Sequence, residues 1–387
     1  MKTSPVTTRN QRAVLAIAAA ALVATGLSGC GGESSAASPT EVANEMLALP
    51  PVDDADGLVI DGERVASREL LAAAREEGSV SWYTGSGAES AELTAARFEA
   101  ETGVGVDVTR LPSGKLSERV LSEAGAGRLG AGVVLVTDPA IAEEMADSGV
   151  FSRYEVPGYD AVSDMDGVVW DDGLYYTPYY SAYSFAYNEA ALDELGMEPP
   201  ATWEDLLDDT WENRIGIVSA GAGGTVQGLA QFQEEQLGDD YWQGLEDLNP
   251  RIFDTTSPQL EALARGEILV ATAGFNSTYG AEESGSPVRL VVPEKGVSGT
   301  YNMQGLTTTG ARSPAAQLFM NWTMSQAGQR FAAAQGFVGA RTDVEQVPTG
   351  DYQLPAADDP SFVVYTPEDA RELGTDIVAR WNKTFGY

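Results

Sequence analysis

The sequence of 387 residues contains no histidine and a single cysteine, Cys30. Without histidine the chain cannot form a Ser-His-Asp triad, a Cys-His pair or a histidine-ligated zinc site. A single cysteine cannot form an internal disulfide, so the fold must depend on its core. Paired carboxylates can still form among 58 acidic residues, but no spacing singles out a pair. We therefore expect neither an enzyme nor a bound cofactor.

Basic residues are scarce as well. The chain has 23 Lys and Arg against 58 Asp and Glu, which gives a formal net charge of −35. This balance argues against a nucleic-acid partner, whose phosphates select basic surfaces, and against electrostatic docking on anionic lipid. Acidic residues spread over the surface keep an exported protein soluble, and we expect a monomer.

Long apolar runs are confined to the N-terminus. The stretch 13–26 follows Lys2, Arg9 and Arg12, and it is too short for a membrane-spanning helix. The sequence Leu-Ser-Gly-Cys ending at Cys30 resembles the bacterial lipobox. Residues 1–29 are thus predicted to be a lipoprotein signal peptide, and Cys30 the acylated N-terminus that anchors an extracytoplasmic protein to the outer face of the cell membrane. An ordinary secreted protein with a stray cysteine is the alternative.

The rest of the chain predicts a tether followed by α/β structure. Residues 30–65 are rich in Gly, Ser, Pro and acids, which predicts a flexible tether. From Ser67, whose hydroxyl is placed to cap a helix that ends at Gly78, short apolar strands alternate with amphipathic helices. This alternation indicates a mainly parallel sheet, and the length favours two lobes.

Three later segments complete the pattern. Six tyrosines in residues 175–187, without helical caps, indicate an extended segment that crosses the molecule. The small-residue loop 219–224 leads into a helix. A single long helix is predicted for 314–334, because its apolar positions share one face.

Several stretches carry a resemblance to a known family. From Leu70 onward the chain resembles the extracytoplasmic solute-binding proteins of ABC importers, in the ferric-iron-type branch of the type II class. The matching stretches are Ala72-Ala73-Ala74-Arg75-Glu76-Glu77-Gly78 with Val80-Ser81-Trp82-Tyr83-Thr84, Phe98-Glu99-Ala100-Glu101-Thr102-Gly103-Val104, Tyr187-Asn188, Thr202-Trp203-Glu204-Asp205-Leu206, and Ser325-Gln326-Ala327-Gly328-Gln329.

The resemblance implies an α/β, two-lobed type II periplasmic-binding-protein fold. Each lobe would hold a mixed, mainly parallel sheet flanked by helices, with the ligand cleft between the lobes. The implied partners are a small-molecule solute, an ABC permease and its ATPase. The expected segments are 66–181 for the first part of lobe 1, 182–280 for lobe 2, 281–340 for the return to lobe 1, and 341–387 for a C-terminal helical segment packing across the lobes.

The resemblance also implies where ligand would bind. The turn formed by Thr84, Gly85, Ser86 and Gly87 corresponds to the ligand loop of the first lobe. The loop with Gly221, Ala222 and Gly223 corresponds to the anion-holding loop of the second. Unpaired N–H groups at a helix N-terminus attract an anion, and glycines let it come close. Each loop could equally be a glycine-rich turn without ligand.

The sequence departs from the ferric pattern at the metal ligands. Asn276 and Ser277 stand where ferric binders carry adjacent tyrosines, and Gly87 falls where several members have a histidine. Only Tyr279 matches a tyrosine of the family. Phenolate is the hard ligand that suits Fe³⁺, so we do not expect capture of the bare ion. The alternative is a metal, or a ferric chelate, held by scattered tyrosines: Tyr180, Tyr183, Tyr279 and Tyr301.

The remaining donors suit an anionic organic solute. Neutral groups of Thr84, Ser86, Asn276 and Ser277 match a carboxylate, phosphate or phosphonate. Four tyrosines could stack on a ligand, surround a cation through cation–π contacts, or simply pack between the lobes. They are Tyr83, Tyr180, Tyr183 and Tyr301. The predicted function is capture of such a solute and its delivery to a permease. A carboxylate-dependent glycosidase and a sensory binding protein are the alternatives.

Overall fold

The computed structural model describes residues 38–238 and 240–387, with backbone alone for 370–375. The predicted signal peptide and Cys30 lie outside the described residues. Among the described helices, none combines the length and the apolar character that a membrane crossing requires.

Residues 38–66 form an ordered N-terminal module, although we expected a flexible tether there. The module contains helix α1 (Pro39–Met46) and the antiparallel strands β1 (Val52–Asp53), β2 (Leu58–Ile60) and β3 (Glu63–Ala66). Ser38 and Glu41 form a capping box at the start of α1. Ala43, Leu58 and Ile60 are fully buried. The tether prediction is wrong for 38–65, because a few apolar positions inside a polar segment suffice to dock it on the core.

Lobe 1 follows directly. Ser67 accepts a hydrogen bond from the Leu70 N–H, and Gly78, with φ of 91°, ends the first helix, as the sequence predicted. The elements of this part are α2 (Arg68–Glu77), β4 (Ser79–Thr84), α3 (Ala88–Thr102), β5 (Gly105–Arg110), α4 (Ser113–Gly125), β6 (Val133–Val136), α5 (Pro139–Asp147), α6 (Tyr159–Val162) and β7 (Val169–Trp170).

The tyrosine-rich segment is a long strand, as predicted, and lobe 2 follows it. This strand, β8 (Tyr175–Asn188), leads into alternating helices and strands. They are α7 (Glu189–Leu195), β9 (Ile215–Val218), α8 (Gly224–Phe232) continued by a π-helical turn (Gln233–Leu237), α9 (Tyr241–Asp247), β10 (Arg251–Phe253), α10 (Thr256–Ala264), β11 (Val270–Gly274), α11 (Phe275–Glu283) and β12 (Val288–Val291).

The chain then returns through strand β13 (Val297–Leu306). The single helix expected over 314–334 is in fact two helices, because Ser325 accepts a hydrogen bond from the Gly328 N–H and starts a new helix there. The last elements are α12 (Pro314–Thr323), α13 (Gln326–Ala334), β14 (Phe337–Gly339), β15 (Phe362–Val364) and α14 (Pro367–Phe385).

One mixed sheet runs through both lobes. Its 12 strands include the path β10-β9-β11-β8-β13-β6-β4-β5. The parallel pairs β4–β5 and β4–β6 build lobe 1, and β9–β10 and β9–β11 build lobe 2. Between them, β8 and β13 are antiparallel to each other, with Tyr180 opposite Tyr301. The long strands β8 and β13 therefore belong to both lobes.

Candidate functional site

Several helices begin at the boundary between the lobes, because each follows a strand that ends there. In lobe 1, β4 leads into α3 and β6 into α5; in lobe 2, β9 leads towards α8 and β11 into α11. The first N–H groups of each helix have no partner within the helix, and the helix dipole makes these ends attractive to anions. Two cavities lie at this boundary.

The larger cavity has a volume of about 530 Å³. The start of α5 lies on one side, α8 with the loop before it on the other, and β13 and the C-terminal segment complete the wall. Its lining residues are Asp138, Pro139, Ala140, Gly221, Gly224, Gln227, Gly228, Gln231, Gly299, Thr300, Tyr301, Tyr365, Pro367, Ile377 and Val378.

The polar groups of the larger cavity are mostly neutral. Among the described residues that line it, Asp138 is the one charged residue, and its Oδ1 accepts a hydrogen bond from the Ala140 N–H at 2.9 Å. Thr300 Oγ1 is buried without a hydrogen-bond partner among the described residues. A side chain at Gly228 would lie 3.2 Å from that oxygen, so glycine lets α8 approach β13. The cavity therefore offers backbone amides and neutral donors, with one carboxylate.

The smaller cavity has a volume of about 190 Å³ and lies between α3 and α11. Across it, Asn276 Nδ2 of lobe 2 donates a hydrogen bond to Ser90 Oγ of lobe 1 at 3.3 Å. Met46 of the N-terminal module contributes to the wall. The lining residues are Met46, Gly87, Ala88, Glu89, Ser90, Leu93, Asn276, Ser277, Tyr279, Gly280 and Gln335.

The structure divides the predicted ligand residues between these two cavities. Gly221 and Tyr301 line the larger one, with Ala222 and Gly223 in the loop between Gly221 and Gly224. The smaller one is lined by Gly87, Asn276, Ser277 and Tyr279. The two predicted ligand loops therefore do not line a common cavity.

The rest of the first predicted loop is buried and lines neither cavity. Thr84 and Ser86 are both buried. Ser86 Oγ lies 3.2 Å from the hydroxyl of Tyr179. A Cβ at Gly85 would lie 2.5 Å from Ser113 Oγ, which explains why glycine stands at that position.

Tyr83 also lies outside both cavities. Its ring lies under the guanidinium of Arg119, 4.6 Å from the ring centre, and its hydroxyl accepts a hydrogen bond from Arg119 Nη2 at 2.9 Å. Burial, and then the charge of Glu123, raises the pKa of this phenol. Tyr83 thus secures α4 to the sheet and does not stack on a ligand in either cavity.

The tyrosines of the metal alternative lie in different surroundings. Tyr180 packs against Tyr301 with 5.2 Å between ring centres, whereas Tyr279 packs against Tyr352. Tyr183 is buried, and its hydroxyl has no hydrogen-bond partner among the described residues.

Burial keeps these phenols protonated. It raises the pKa of Tyr279 and of Tyr301 to about 12, and raises those of Tyr180 and Tyr183 further. Phenolate is the form that binds iron. In the described part of the chain, no group of three or more His, Cys, Asp or Glu side chains is arranged to hold a metal ion either.

Several residues of the larger cavity were missed by the sequence analysis. Asp138 had a usable signal, because Asp-Pro directly after the buried strand β6 is typical of a helix start at the end of a strand. Gln227 and Gln231 are one turn apart on α8, next to the predicted loop. Tyr365 and Val378 had no signal, since only the tertiary packing of α14 brings them to the cavity.

The fold and the interlobe cavities define a two-lobed solute-binding protein. A family model for bacterial extracellular solute-binding proteins matches residues 94–361. The chain belongs to this family, whose members are the binding components of ABC importers.

Relatives show what this chain is similar to. An uncharacterized protein of Haemophilus influenzae is 31% identical over 182 residues, which are 44% of this chain and 52% of the relative. The chain thus spans about half the length of that relative. A candidate 2-aminoethylphosphonate-binding periplasmic protein of Salmonella paratyphi A is 24% identical over 280 residues, 69% of this chain and 77% of the relative.

A solved structure agrees in fold. The periplasmic binding protein AfuA of Actinobacillus pleuropneumoniae, determined with fructose 6-phosphate, matches with a TM-score of 0.62. The match covers 80% of this chain and 99% of AfuA at 22% identity, so it bears on the fold alone. The predicted two-lobed periplasmic-binding-protein fold is confirmed.

Proposed function

We propose that this protein captures a small organic solute carrying a phosphonate or phosphate group in the larger cavity, and delivers it unchanged to the permease of an ABC importer. We also propose that the protein is a monomer, anchored by acylated Cys30 to the outer face of the cell membrane. The family supports the transport role. The chemistry of the larger cavity supports the solute class.

One observation carries this proposal: the N-terminus of α8 opens into the larger cavity. Gly221 and Gly224 line it there, and α8 is 9 residues long. The Val226 and Gln227 N–H groups donate to the Gly223 carbonyl, so the amides of Gly224 and Thr225 are the ones that we propose for the anion. The absence of a side chain at Gly224 lets a phosphonate oxygen approach them. No Lys or Arg is among the described residues that line this cavity, and backbone amides are the donors that we propose for the anion.

Asp138 narrows the proposed solute further. Its carboxylate, the one charged group among the described lining residues, would repel a purely anionic ligand, whereas it would attract an ammonium group. A zwitterion would interact favourably with both walls, because its phosphonate would lie near α8 and its ammonium group near Asp138. 2-Aminoethylphosphonate, named for the Salmonella relative, has this chemistry.

The test is a thermal-shift panel on the purified protein. It contains 2-aminoethylphosphonate, fructose 6-phosphate, inorganic phosphate, ferric citrate and a neutral sugar. A ligand at 100 times its dissociation constant should stabilise the fold by about 2.7 kcal/mol. We expect the zwitterionic phosphonate to give the largest shift. A shift with ferric citrate alone would refute the proposed solute class.

A charge placed at Gly221 checks the location of the anion. A Cβ there would meet Ser219 Oγ at 3.7 Å and Val378 Cγ1 at 3.8 Å, which are ordinary contacts. Gly221→Asp should therefore fold normally but weaken phosphonate binding at least about tenfold, by like-charge repulsion. Gly221→Asn has the same shape without the charge and should bind nearly as the parent does. If calorimetry gives equal affinities for the two variants, the anion does not bind beside Gly221.

The hydrolase alternative gains no support from this cavity. Glycoside hydrolysis requires two carboxyl groups about 5 to 10 Å apart, and Asp138 is the one carboxylate among the lining residues. Recovery of the panel ligand unchanged after prolonged incubation with the protein checks this point.

A further inference from the structure

Residues 362–387, which we name the C-terminal segment, form the outer wall of the larger cavity. The segment consists of β15 and α14, and β15 pairs in parallel with β13. Tyr365, Pro367, Ile377 and Val378 line the cavity. The family match ends at residue 361. The residues shared with the family therefore supply the helix N-termini, whereas a segment outside the match continues the wall beside β13.

The C-terminal segment packs mainly on lobe 2. Ile377 and Trp381 are buried in the hydrophobic core of that lobe, and the ring of Trp381 packs on Phe385 at 4.5 Å. The hydroxyl of Tyr387, at the chain end, donates a hydrogen bond to Asp254 at the end of β10. Most of α14 therefore packs on lobe 2, and it also contacts α5 of lobe 1, the helix that begins after Asp138.

A forked ion pair holds the helix in place. Arg380 Nε donates to Glu234 Oε1 at 2.8 Å, and Nη2 donates to Glu234 Oε2 at 2.6 Å. Glu234 lies in the π-helical turn that continues α8. Such a bidentate pair fixes orientation as well as distance. The pair therefore links α14, which carries Val378, to the turn that continues α8.

We propose that the C-terminal segment determines the size of the solute, with Val378 as the limiting residue, and that the Glu234–Arg380 pair holds this wall closed. The inference rests on the proposed function, since it assigns selectivity to the same cavity. Val378 is half-buried and faces the loop that carries Gly221. A larger side chain at 378 would therefore reduce the space beside the proposed anion position at the start of α8.

Val378→Phe tests the size limit. The probes are fructose 6-phosphate and the smaller 2-aminoethylphosphonate. If both bind the parent, the variant should lose at least about tenfold more affinity for the bulkier sugar phosphate than for the phosphonate. Should only the phosphonate bind the parent, Val378→Ala should admit fructose 6-phosphate. Ala379→Phe is the matched control, because Ala379 is the next residue on the same helix, is exposed, and does not line the cavity. If Val378→Phe and Ala379→Phe behave alike, the size-limit proposal is wrong.

Arg380→Gln tests the ion pair, with and without ligand. Hydrogen exchange of the α14 amides should become about tenfold faster in the ligand-free protein, and dissociation of 2-aminoethylphosphonate faster by a similar factor. The exchanged pair Glu234→Arg with Arg380→Glu should restore both rates. Arg265→Gln, which breaks an exposed ion pair away from the cavity, should change neither. Unchanged exchange in Arg380→Gln would overturn the role of the pair.

The two proposals fail in distinguishable ways. If no compound of the panel stabilises the parent, the proposed solute class is wrong, and the size-limit proposal, which depends on it, is wrong as well. The exchange measurement without ligand then still decides whether Glu234 and Arg380 hold the wall.

Discussion

Arg97 joins the N-terminal module to lobe 1 from a buried position. Its side chain is 1% exposed and pairs with Glu101, whose other oxygen accepts the Trp322 indole N–H at 2.7 Å. The guanidinium also donates to the carbonyls of Leu47 at 2.5 Å and Ala48 at 2.9 Å, just after α1. One side chain thereby satisfies a buried carboxylate and the end of a helix.

Replacing Arg97 should be severely destabilising. Arg97→Met keeps much of the apolar stem but leaves Glu101 charged and unpaired in the core. Breaking one side of a buried ion pair costs about 3 to 5 kcal/mol, to be measured by urea denaturation. Arg265→Met, at an ion pair whose arginine side chain is 55% exposed, should change the free energy of unfolding far less. Comparable losses in the two variants would contradict this role of Arg97.

The break between α12 and α13 depends on a glycine as much as on the cap. A Cβ at Gly328 would lie 2.1 Å from the Trp322 carbonyl oxygen, so the two helices can meet this closely only without a side chain there. The cap at Ser325 and the close approach at Gly328 both lie in the first turn of α13, where it meets the end of α12.

Gly328→Ala should therefore destabilise the fold, contrary to the usual effect of this substitution within helices. We expect a loss of about 1 to 3 kcal/mol, since backbone has to shift to relieve the overlap. Gly114→Ala in α4 is the control: a Cβ added there would have no neighbour within 4 Å, and alanine should stabilise by about 0.5 to 1 kcal/mol. Thermal denaturation of the two variants measures the difference. If Gly328→Ala is more stable than the parent, α12 and α13 can move apart without destabilising the fold.

Local patterns predicted most elements, and failed where distant contacts decide. The helix between Ser67 and Gly78, the tyrosine-rich strand β8 and the buried strand β6 carry their own signals in cap, alternation and apolar run. The N-terminal module does not, because its order depends on partners such as Arg97 and Arg341, far along the chain.

The candidate site was predictable only in part. Sequence located the glycine loop before α8, because a helix N-terminus with small residues is a local feature. It could not show that Gly87 and Gly221 line different cavities, since that depends on how the two lobes meet. Nor could it place Val378, because α14 reaches the cavity only through its packing on the lobe 2 core.

Buried tyrosines should make the fold sensitive to alkali. Burial raises the pKa of Tyr179 and Tyr301 to about 12 and that of Tyr183 further, above the value of about 10 expected in the unfolded chain. A raised folded-state pKa gives stability that is full below pH of about 10 and is lost as the pH rises towards about 12. Near neutrality no histidine titrates.

We therefore expect the free energy of unfolding to stay flat between about pH 6 and 8, and to fall by several kcal/mol above about pH 10. Urea denaturation at stepped pH measures this. Tyrosinate absorbance gives the second readout, because ionisation in the folded protein should lag behind that of the denatured chain. Ionisation that coincides in the two states would mean that these phenols are accessible to solvent.

Attachment of the N-terminal module has a mechanical consequence. Its ion pairs run from Asp54 to Arg75, from Asp61 to Arg330 and from Glu63 to Arg341, all in the half of the molecule that contains α2 and α13. A force applied to the chain at residue 38 would therefore act on the half that contains α2 and α13. If the chain is anchored at its N-terminus, as we propose, lobe 2 can change its position relative to lobe 1 without straining the attachment.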